Sequence, residues 1–173
     1  MSEEPLPDTY WVEEGRLLAG RYPAVSDDAV TQARIQRLLE AGVTYFLDLT
    51  EEGELFPYAQ WLENCAEHHR YPISDFGIPS KVLMLRILDT LDRVLSAGYT
   101  VYLHCHGGIG RTGTVVGCYL VRRGFQGEEA LAEIVRLRVK ASVQWVPSPE
   151  TEAQCRMVLG WAAHDDLLDV SSG

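Results

Sequence analysis

One short segment of the chain limits the folds it can adopt more than any other. The apolar run YTVYLHC at 99–105 leads directly into the glycine-rich sequence HGGIGRTG at 106–113, and only helical patterns follow from Thr112 onward. A strand that enters a tight glycine turn and then a helix is typical of an α/β fold. Ligands bind such folds beyond the carboxyl ends of the strands, so the segment also predicts where a functional site lies.

Alternating strand and helix patterns upstream favour the same fold class. Strands are predicted on either side of Glu14-Gly15, within 10–20, and at 43–49 and 70–74. Helices are predicted from an N-cap at Ser26 to Gly42, after Pro57, and over 81–97 with Ser80 as the cap. Beyond the glycine segment, helices are predicted over 112–123, 128–140 and 149–163, the last capped by Ser148.

These patterns predict an α/β protein with a mainly parallel central sheet flanked by helices and an all-helical C-terminal part. The chain has 173 residues, of which 46% are hydrophobic, so we expect a single domain over 1–173 with its own core. Residues 1–8 and 165–173 are expected to be flexible tails. We also expect a monomer.

Composition disfavours several classes of partner. The net charge of −10 would repel nucleic acid and anionic membrane surfaces, so any bound anion must be held by a local site. The apolar stretches are far shorter than the ~20 residues needed to cross a bilayer, and residues 1–15 are acidic. Four cysteines without a CxxC pair predict reduced thiols. We therefore expect a cytoplasmic protein with no nucleic acid or membrane partner.

The glycine segment admits several interpretations. Residues 108–113 satisfy the GxGxxG pattern of dinucleotide sites, but that pattern needs a following strand that ends in an acidic residue, and only helices are predicted downstream. A nucleoside triphosphate loop would need a lysine where Thr114 stands. Zinc ligation by the adjacent residues 104–106 is disfavoured because they do not readily converge on one tetrahedral ion. A structural turn with a buried cysteine also stays open.

A further interpretation uses every polar group of the segment, as a phosphate cradle around a nucleophilic thiolate. Successive backbone N–H groups in a glycine-rich loop form an anion site, and the helix that begins near Arg111 adds its positive end. Such a site favours the thiolate of Cys105 over the thiol. Arg111 can present its planar fork to two phosphoryl oxygens, and more strongly as charge spreads during transfer.

The full sequence HCHGGIGRTG resembles the signature loop HCxxGxGR[ST]G of cysteine-dependent protein tyrosine phosphatases. The chain length is similar to that of the small dual-specificity branch of this superfamily. The resemblance implies the phosphatase fold and a two-step reaction, in which Cys105 attacks phosphorus and water then hydrolyses the phosphocysteine. It implies no cofactor and no metal.

The resemblance also implies roles for the other residues of the loop. His104 would order the loop and help to keep the thiol ionised. Thr112 would stabilise the thiolate as the leaving group of the second step. The phosphate-binding residues would be His106, Gly107, Gly108, Ile109, Gly110 and Arg111.

Outside the loop, the resemblance implies a general acid upstream of the nucleophile. Asp75, in ISDFGIPS, matches the loop aspartate that protonates the leaving oxygen and later accepts a proton from water. Asp48, in FLDLTEE, is the competing acid and is expected to be structural. Gln154 is expected to position the hydrolytic water, with Glu150 as an open alternative.

The expected function is hydrolysis of phosphotyrosine in a protein substrate, with phosphoserine and phosphothreonine as further substrates. Phosphoinositide phosphatases of this superfamily commonly carry lysines in the loop, whereas residues 106–110 read HGGIG. Two alternatives stay open: a phosphatase of inositol phosphates or other small phosphomonoesters, and a phosphotyrosine-binding protein without turnover. Arg21 and the basic residues of 134–140 are expected to be solvated surface groups rather than part of the site mouth.

Overall fold

The computed structural model describes residues 4–62 and 64–162. Within these ranges one sheet contains the strands Thr9–Glu13 (β1), Leu17–Gly20 (β2), Tyr45–Asp48 (β3), Glu67–Arg70 (β4) and Val101–His104 (β5). The helices are Asp28–Glu40 (α1), Lys81–Ser96 (α2), Gly110–Arg122 (α3), Gly127–Leu137 (α4) and Glu152–Leu159 (α5), with a 3₁₀ turn at Ala59–Leu62. The strand order is β1-β2-β5-β3-β4, and β1 alone pairs antiparallel. The prediction of an α/β fold with a mainly parallel sheet and a helical C-terminal part is confirmed.

The three central strands β2, β5 and β3 are buried on both faces, and successive residues of each strand point to opposite sides of the sheet. On one face, Leu17 and Leu103 belong to the core beneath α2, α3, α4 and α5. On the other face, Leu18 and Tyr102 pack beneath α1 and the 3₁₀ turn. Because they are buried on both faces, the central strands are almost wholly apolar, as the sequence pattern predicts.

The register of the sheet brings the ends of three strands to one edge. Gly20 at the end of β2 and Asp48 at the end of β3 both pair with His104 at the end of β5. Cys105 follows directly, so the glycine loop starts at this edge. The loop then enters α3, whose residues 110–121 are all buried in the helical layer.

The strand predicted at 70–74 is wrong, because β4 spans Glu67–Arg70. This strand pairs with β3 alone and alternates exposed with half-buried residues, so its sequence EHHR lacks the apolar signal of a buried strand. Extended backbone continues to Ile73, whose N–H donates to Leu49 O at 3.0 Å. Pro72 has no N–H with which to extend the ladder.

Two predicted helical features near the N-terminal half also differ. The helix expected after Pro57 is a single 3₁₀ turn, and Asn64 soon afterwards adopts a left-handed φ of 62°. The N-cap of α1 is Asp27 rather than Ser26, because the Asp27 carboxylate accepts the first free N–H groups of the helix.

The two last helices are shorter than predicted. Helix α4 ends at Leu137, and Arg138 then turns inward, where it is 2% exposed and donates to Val143 O and Val146 O. The prediction of a solvated surface group is therefore wrong for Arg138. Helix α5 is capped by Thr151, since the Ser148 hydroxyl instead donates to the loop at 2.7 Å. No helix of the described ranges is long and apolar enough to cross a membrane.

The described part of the N-terminal tail is packed against the domain. Leu6 is 2% exposed, and Pro7 O accepts from the N–H of Ser142 at 2.7 Å. The Asp8 carboxylate pairs with Arg34 at 2.9 Å. The flexible tail predicted over 1–8 is therefore wrong for residues 4–8, whereas residues 1–3 and the predicted tail at 165–173 lie outside the described residues.

Candidate active site

The nucleophile predicted from the sequence lies at the floor of the glycine loop. Cys105 is 2% exposed and is the first residue beyond β5. Helix α3 begins five residues later, and the side chain at its N-cap, Ile109, makes no capping hydrogen bond. The first N–H groups of α3 therefore remain available to an anion in the loop.

Gly108 fixes how closely the loop approaches the neighbouring strand. Its φ is +71°, and a Cβ at this position would lie 2.4 Å from the carbonyl carbon of Gly20. The N–H of Tyr22 donates to His106 O at 3.0 Å from the same side. Only glycine fits between the loop and the end of β2.

Arg111 extends from the first turn of α3 and is 1% exposed. Its guanidinium donates to both carboxylate oxygens of Glu54, at 2.8 and 2.6 Å, and to Ile73 O at 2.9 Å. Asp75 Oδ1 lies 3.1 Å from Nη2 of the same side chain. The buried Arg111 Nε has no hydrogen-bond partner among the described residues, so it is the donor left for a bound oxyanion.

Asp75 stands on the loop between β4 and α2, with its side chain 46% exposed. Its carboxylate accepts from the N–H of Phe76 at 3.0 Å. Together with residues of the glycine loop it lines an open cleft of about 250 Å³. The remaining lining residues are Arg21, Phe76, His106, Gly107, Ile109, Val143 and Glu150. The structure thus brings together two sequence segments that are about thirty residues apart.

Comparison with known proteins identifies the family of this chain. The model of a family described as "Swiss Army Knife protein, DSP-PTPase phosphatase domain" matches residues 7–157. The chain belongs to this phosphatase family. A solved structure of Tk-PTP in its active form shares 29% sequence identity at a TM-score of 0.72, covering 88% of this chain and 94% of that one.

Two curated proteins show the same relationship over most of this phosphatase domain. Protein 197R of Invertebrate iridescent virus 6, whose name places it among tyrosine phosphatases, is 28% identical over 162 residues, which is 89% of this chain and 53% of the viral protein. Phosphatidylglycerophosphate phosphatase PTPMT1 of Arabidopsis thaliana is 32% identical over 135 residues, which is 75% of this chain and 38% of the plant protein. The chain therefore spans about half or less of the length of these relatives.

Glu54 is a residue of this phosphatase site that the sequence interpretation missed. It lies in the segment TEEGE at 50–54, directly after the strand predicted at 43–49. The structure makes Glu54 the bidentate partner of Arg111, and those hydrogen bonds hold the pKa of the Glu54 carboxyl below its usual range. Glu54 therefore orients the guanidinium that faces the cradle.

Gln154, for which a water-positioning role is predicted, makes several hydrogen bonds within the protein. It is fully buried; its Oε1 accepts from the N–H groups of Glu150 and Thr151 at 3.0 Å, and its Nε2 donates to Gly77 O at 3.0 Å. These bonds close the capping box of α5 and attach the Asp75 loop to it. Glu150, the alternative, lines the cleft and is exposed.

Two other residues of the loop, Thr112 and His106, also lie at the site. Thr112 is fully buried, and its hydroxyl has no hydrogen-bond partner among the described residues. His106 is exposed and lines the cleft. His106, Glu54 and Asp75 also offer ligand atoms within 4.8 Å of one another. Both Glu54 oxygens already bind Arg111, so a cation there would meet a fixed positive charge, and we assign no metal to this group.

His104 lies in a fully buried polar network behind the nucleophile. Its Nε2 is 2.6 Å from the hydroxyl of Tyr58, and its Nδ1 is 3.9 Å from Asp48 Oδ1. Asp48 is itself fully buried and accepts from Thr50 and Arg70. These contacts are those of a structural group, as expected for Asp48. Burial lowers the pKa of His104 from 6.5 to about 4, so the imidazole stays neutral at physiological pH.

The neutral imidazole of His104 makes stability depend on pH. Between pH 6.5 and about 4 the unfolded chain takes up a proton that the folded chain does not, so stability falls as the pH falls through this window. The difference corresponds to about 2 kcal/mol between roughly pH 7 and pH 5. Urea unfolding of wild type and His104→Gln at these two pH values should show a smaller pH dependence in the variant.

The exposed His69 provides the matched control, since His69→Gln should retain the wild-type pH dependence. Equal pH dependence in wild type and His104→Gln would show that the buried imidazole is not neutral in the folded phosphatase domain.

Proposed function

We propose that this domain hydrolyses phosphotyrosine in protein substrates through a phosphocysteine intermediate. The observation that carries the proposal is the placement of Arg111, which is buried beside the Cys105 loop and lies 3.1 Å from the carboxylate of Asp75. The phosphate-binding loop, the guanidinium of Arg111 and the carboxyl group of Asp75 therefore lie at the same site, and transfer of a phosphoryl group requires these three kinds of group.

In the first step, the thiolate of Cys105 attacks phosphorus and forms the S–P bond while the bond to the leaving oxygen breaks. Asp75 gives its proton to that oxygen, and the dephosphorylated side chain leaves. Arg111 Nε and the N–H groups of the loop bind the phosphoryl oxygens, whose charge increases in the transition state.

In the second step, water attacks the phosphocysteine and the S–P bond breaks. The Asp75 carboxylate accepts the proton of the water, and inorganic phosphate is released. The hydroxyl of Thr112 donates to the departing thiolate, which stabilises it as the leaving group. Each proton given up in one step is recovered in the other, so the enzyme returns to its starting state.

The lining of the cleft favours a phosphorylated aromatic side chain. Phe76 is 60% exposed and borders the cleft together with Ile109 and Val143, so a phenyl ring would meet apolar surface. The carboxylates of Asp75 and Glu150 border the same cleft and would repel a ligand with several phosphates. The name of the Arabidopsis relative supports a second candidate, a phosphatase of lipid or other small phosphomonoesters.

Replacing the acid tests this proposal. In the presence of EDTA, wild type should hydrolyse a phosphotyrosyl peptide, and Asp75→Asn should lower kcat about 10²-fold, because the phenolate leaves without a proton. The loss should be smaller for para-nitrophenyl phosphate, whose leaving group needs less protonation. Asp89→Asn, an exposed substitution on α2, is the control and should match wild type.

Equal losses on both substrates would contradict the acid role of Asp75. Measured on the same enzyme, a higher kcat/KM for phosphatidylglycerophosphate or inositol phosphates than for the peptide would replace the protein substrate with the second candidate. Tight binding of the peptide without turnover in wild type would indicate a phosphotyrosine-binding protein instead.

A further inference from the structure

Arg21 lies at the mouth of the cleft, where the sequence predicted only a solvated surface group. Strands β2 and β5 are parallel neighbours, and Gly20 pairs with His104, so the residues that follow them lie at the same sheet edge. Arg21 is the first residue after β2, and it borders the cleft together with Asp75 and Glu150, which are distant in sequence. The sheet topology therefore assigns this side chain to the site.

The backbone at Arg21 is held firmly against the phosphate loop. Its N–H donates to Asp8 O at 3.3 Å, and its carbonyl oxygen accepts from the hydroxyl of Tyr102. The next residue, Tyr22, donates its N–H to His106 O at 3.0 Å. The Cα of Arg21 is thus fixed relative to the site of chemistry, which reduces the entropy lost when its side chain binds a ligand.

The guanidinium of Arg21, in contrast, has no hydrogen bond or ion pair with any residue of the described ranges, and the side chain is exposed. The terminal nitrogens of Arg111, in the same site, already pair with Glu54 and Asp75. Arg21 therefore offers five N–H donors and a permanent positive charge at the rim of the cleft.

We propose that Arg21 binds one carboxylate of the substrate, from an acidic residue beside the phosphorylated tyrosine; this inference rests on the proposed function. Arg21 lines the same cleft as two carboxylates of the enzyme, Asp75 and Glu150. The mouth can accommodate one added negative charge at Arg21, whereas a ligand with several phosphates would also meet those carboxylates. The ligand chemistry is therefore a single side-chain carboxylate.

The net charge of the chain also affects which peptides it prefers. At −10, the chain repels acidic peptides at long range, so any preference for them must come from a local group. Without the charge of Arg21, the protein should therefore prefer neutral peptides over acidic ones, rather than show no preference.

The test compares two phosphotyrosyl peptides that differ only by Glu or Gln next to the phosphotyrosine. Wild type should favour the Glu peptide in kcat/KM by roughly three- to tenfold, the effect of an exposed but bidentate ion pair. The difference should lie in KM, because the carboxylate is bound equally in the ground and transition states. Arg21→Gln should favour the Gln peptide, and Arg21→Lys should retain part of the wild-type preference.

Arg37→Gln supplies the matched control, because it removes the same charge from an exposed position in the last turn of α1, where the strands begin rather than end. It should keep the wild-type preference. An unchanged Glu-to-Gln ratio in Arg21→Gln would overturn the inference and leave the proposed function standing. Hydrolysis of para-nitrophenyl phosphate with no hydrolysis of either peptide would instead overturn the proposed function.

A third substrate tests whether Arg21 binds a carboxylate of the substrate or a second phosphate group. An inositol bisphosphate should be a poorer substrate than the Glu peptide in wild type. If it is the better substrate and loses that advantage in Arg21→Gln, the carboxylate assignment is wrong.

Discussion

Replacing Cys105 by serine should abolish turnover while phosphotyrosine binding is retained. The hydroxyl is not ionised near neutral pH and cannot form the phosphoenzyme, so kcat should fall on the order of 10⁴-fold or more. The side chain is 2% exposed and serine is smaller, so the cradle and Arg111 keep their positions. Para-nitrophenyl phosphate hydrolysis measures the loss, and calorimetry with a phosphotyrosyl peptide measures the affinity that remains.

The control for this substitution is Cys65→Ser, at an exposed cysteine that precedes β4. It should have wild-type kcat. If Cys105→Ser retained more than a few per cent of wild-type activity, Cys105 would not be the nucleophile, and a direct attack of water on the substrate would have to be considered.

The site residues of the glycine loop could be predicted from the sequence, because they are close together in the chain and local backbone geometry determines the shape of the loop. The spacing of Cys105, Gly108 and Arg111 fits one loop followed by one helix. Gly108 has a positive φ, a backbone conformation that favours glycine, and the sequence has glycine at this position. The structure places all three at the end of a central strand. Their chemical roles stay predictions that the substitutions described here test.

The residues that the sequence interpretation missed act across long separations. Glu54 and Arg111 are 57 positions apart, and Arg21 reaches the cleft only because β2 lies next to β5. Periodicity and composition carry no signal for either arrangement. One clue was present: TEEGE follows a predicted strand end, and the ends of parallel strands share one edge of a sheet.

The capping contacts of Gln154 were missed for a different reason. Thr151 and Gln154 have the spacing of a capping box, in which a residue three positions into the helix reaches back to the cap. This local signature was present in the sequence, and the helix boundary predicted at 149 concealed it. The side chain with the predicted water-positioning role thus also holds the helix end and the Asp75 loop.

Arg111→Lys should lower kcat/KM about 10²- to 10³-fold, although the charge is conserved. A lysine ammonium cannot donate to both oxygens of Glu54 and to a phosphoryl oxygen in the fixed directions of the guanidinium fork. The loss should appear in kcat as well as KM, because the fork binds the transition state more strongly than the ground state.

A double-mutant cycle with Glu54→Gln separates the two contributions of this contact. Glu54→Gln alone should weaken activity less than Arg111→Lys, since it leaves the guanidinium in place and removes only its orientation. If Glu54 acts through Arg111, the double variant should be little worse than Arg111→Lys, because the orienting residue has lost its target. Fully additive losses would mean that Glu54 acts independently of Arg111, and its role as the positioning residue would be wrong.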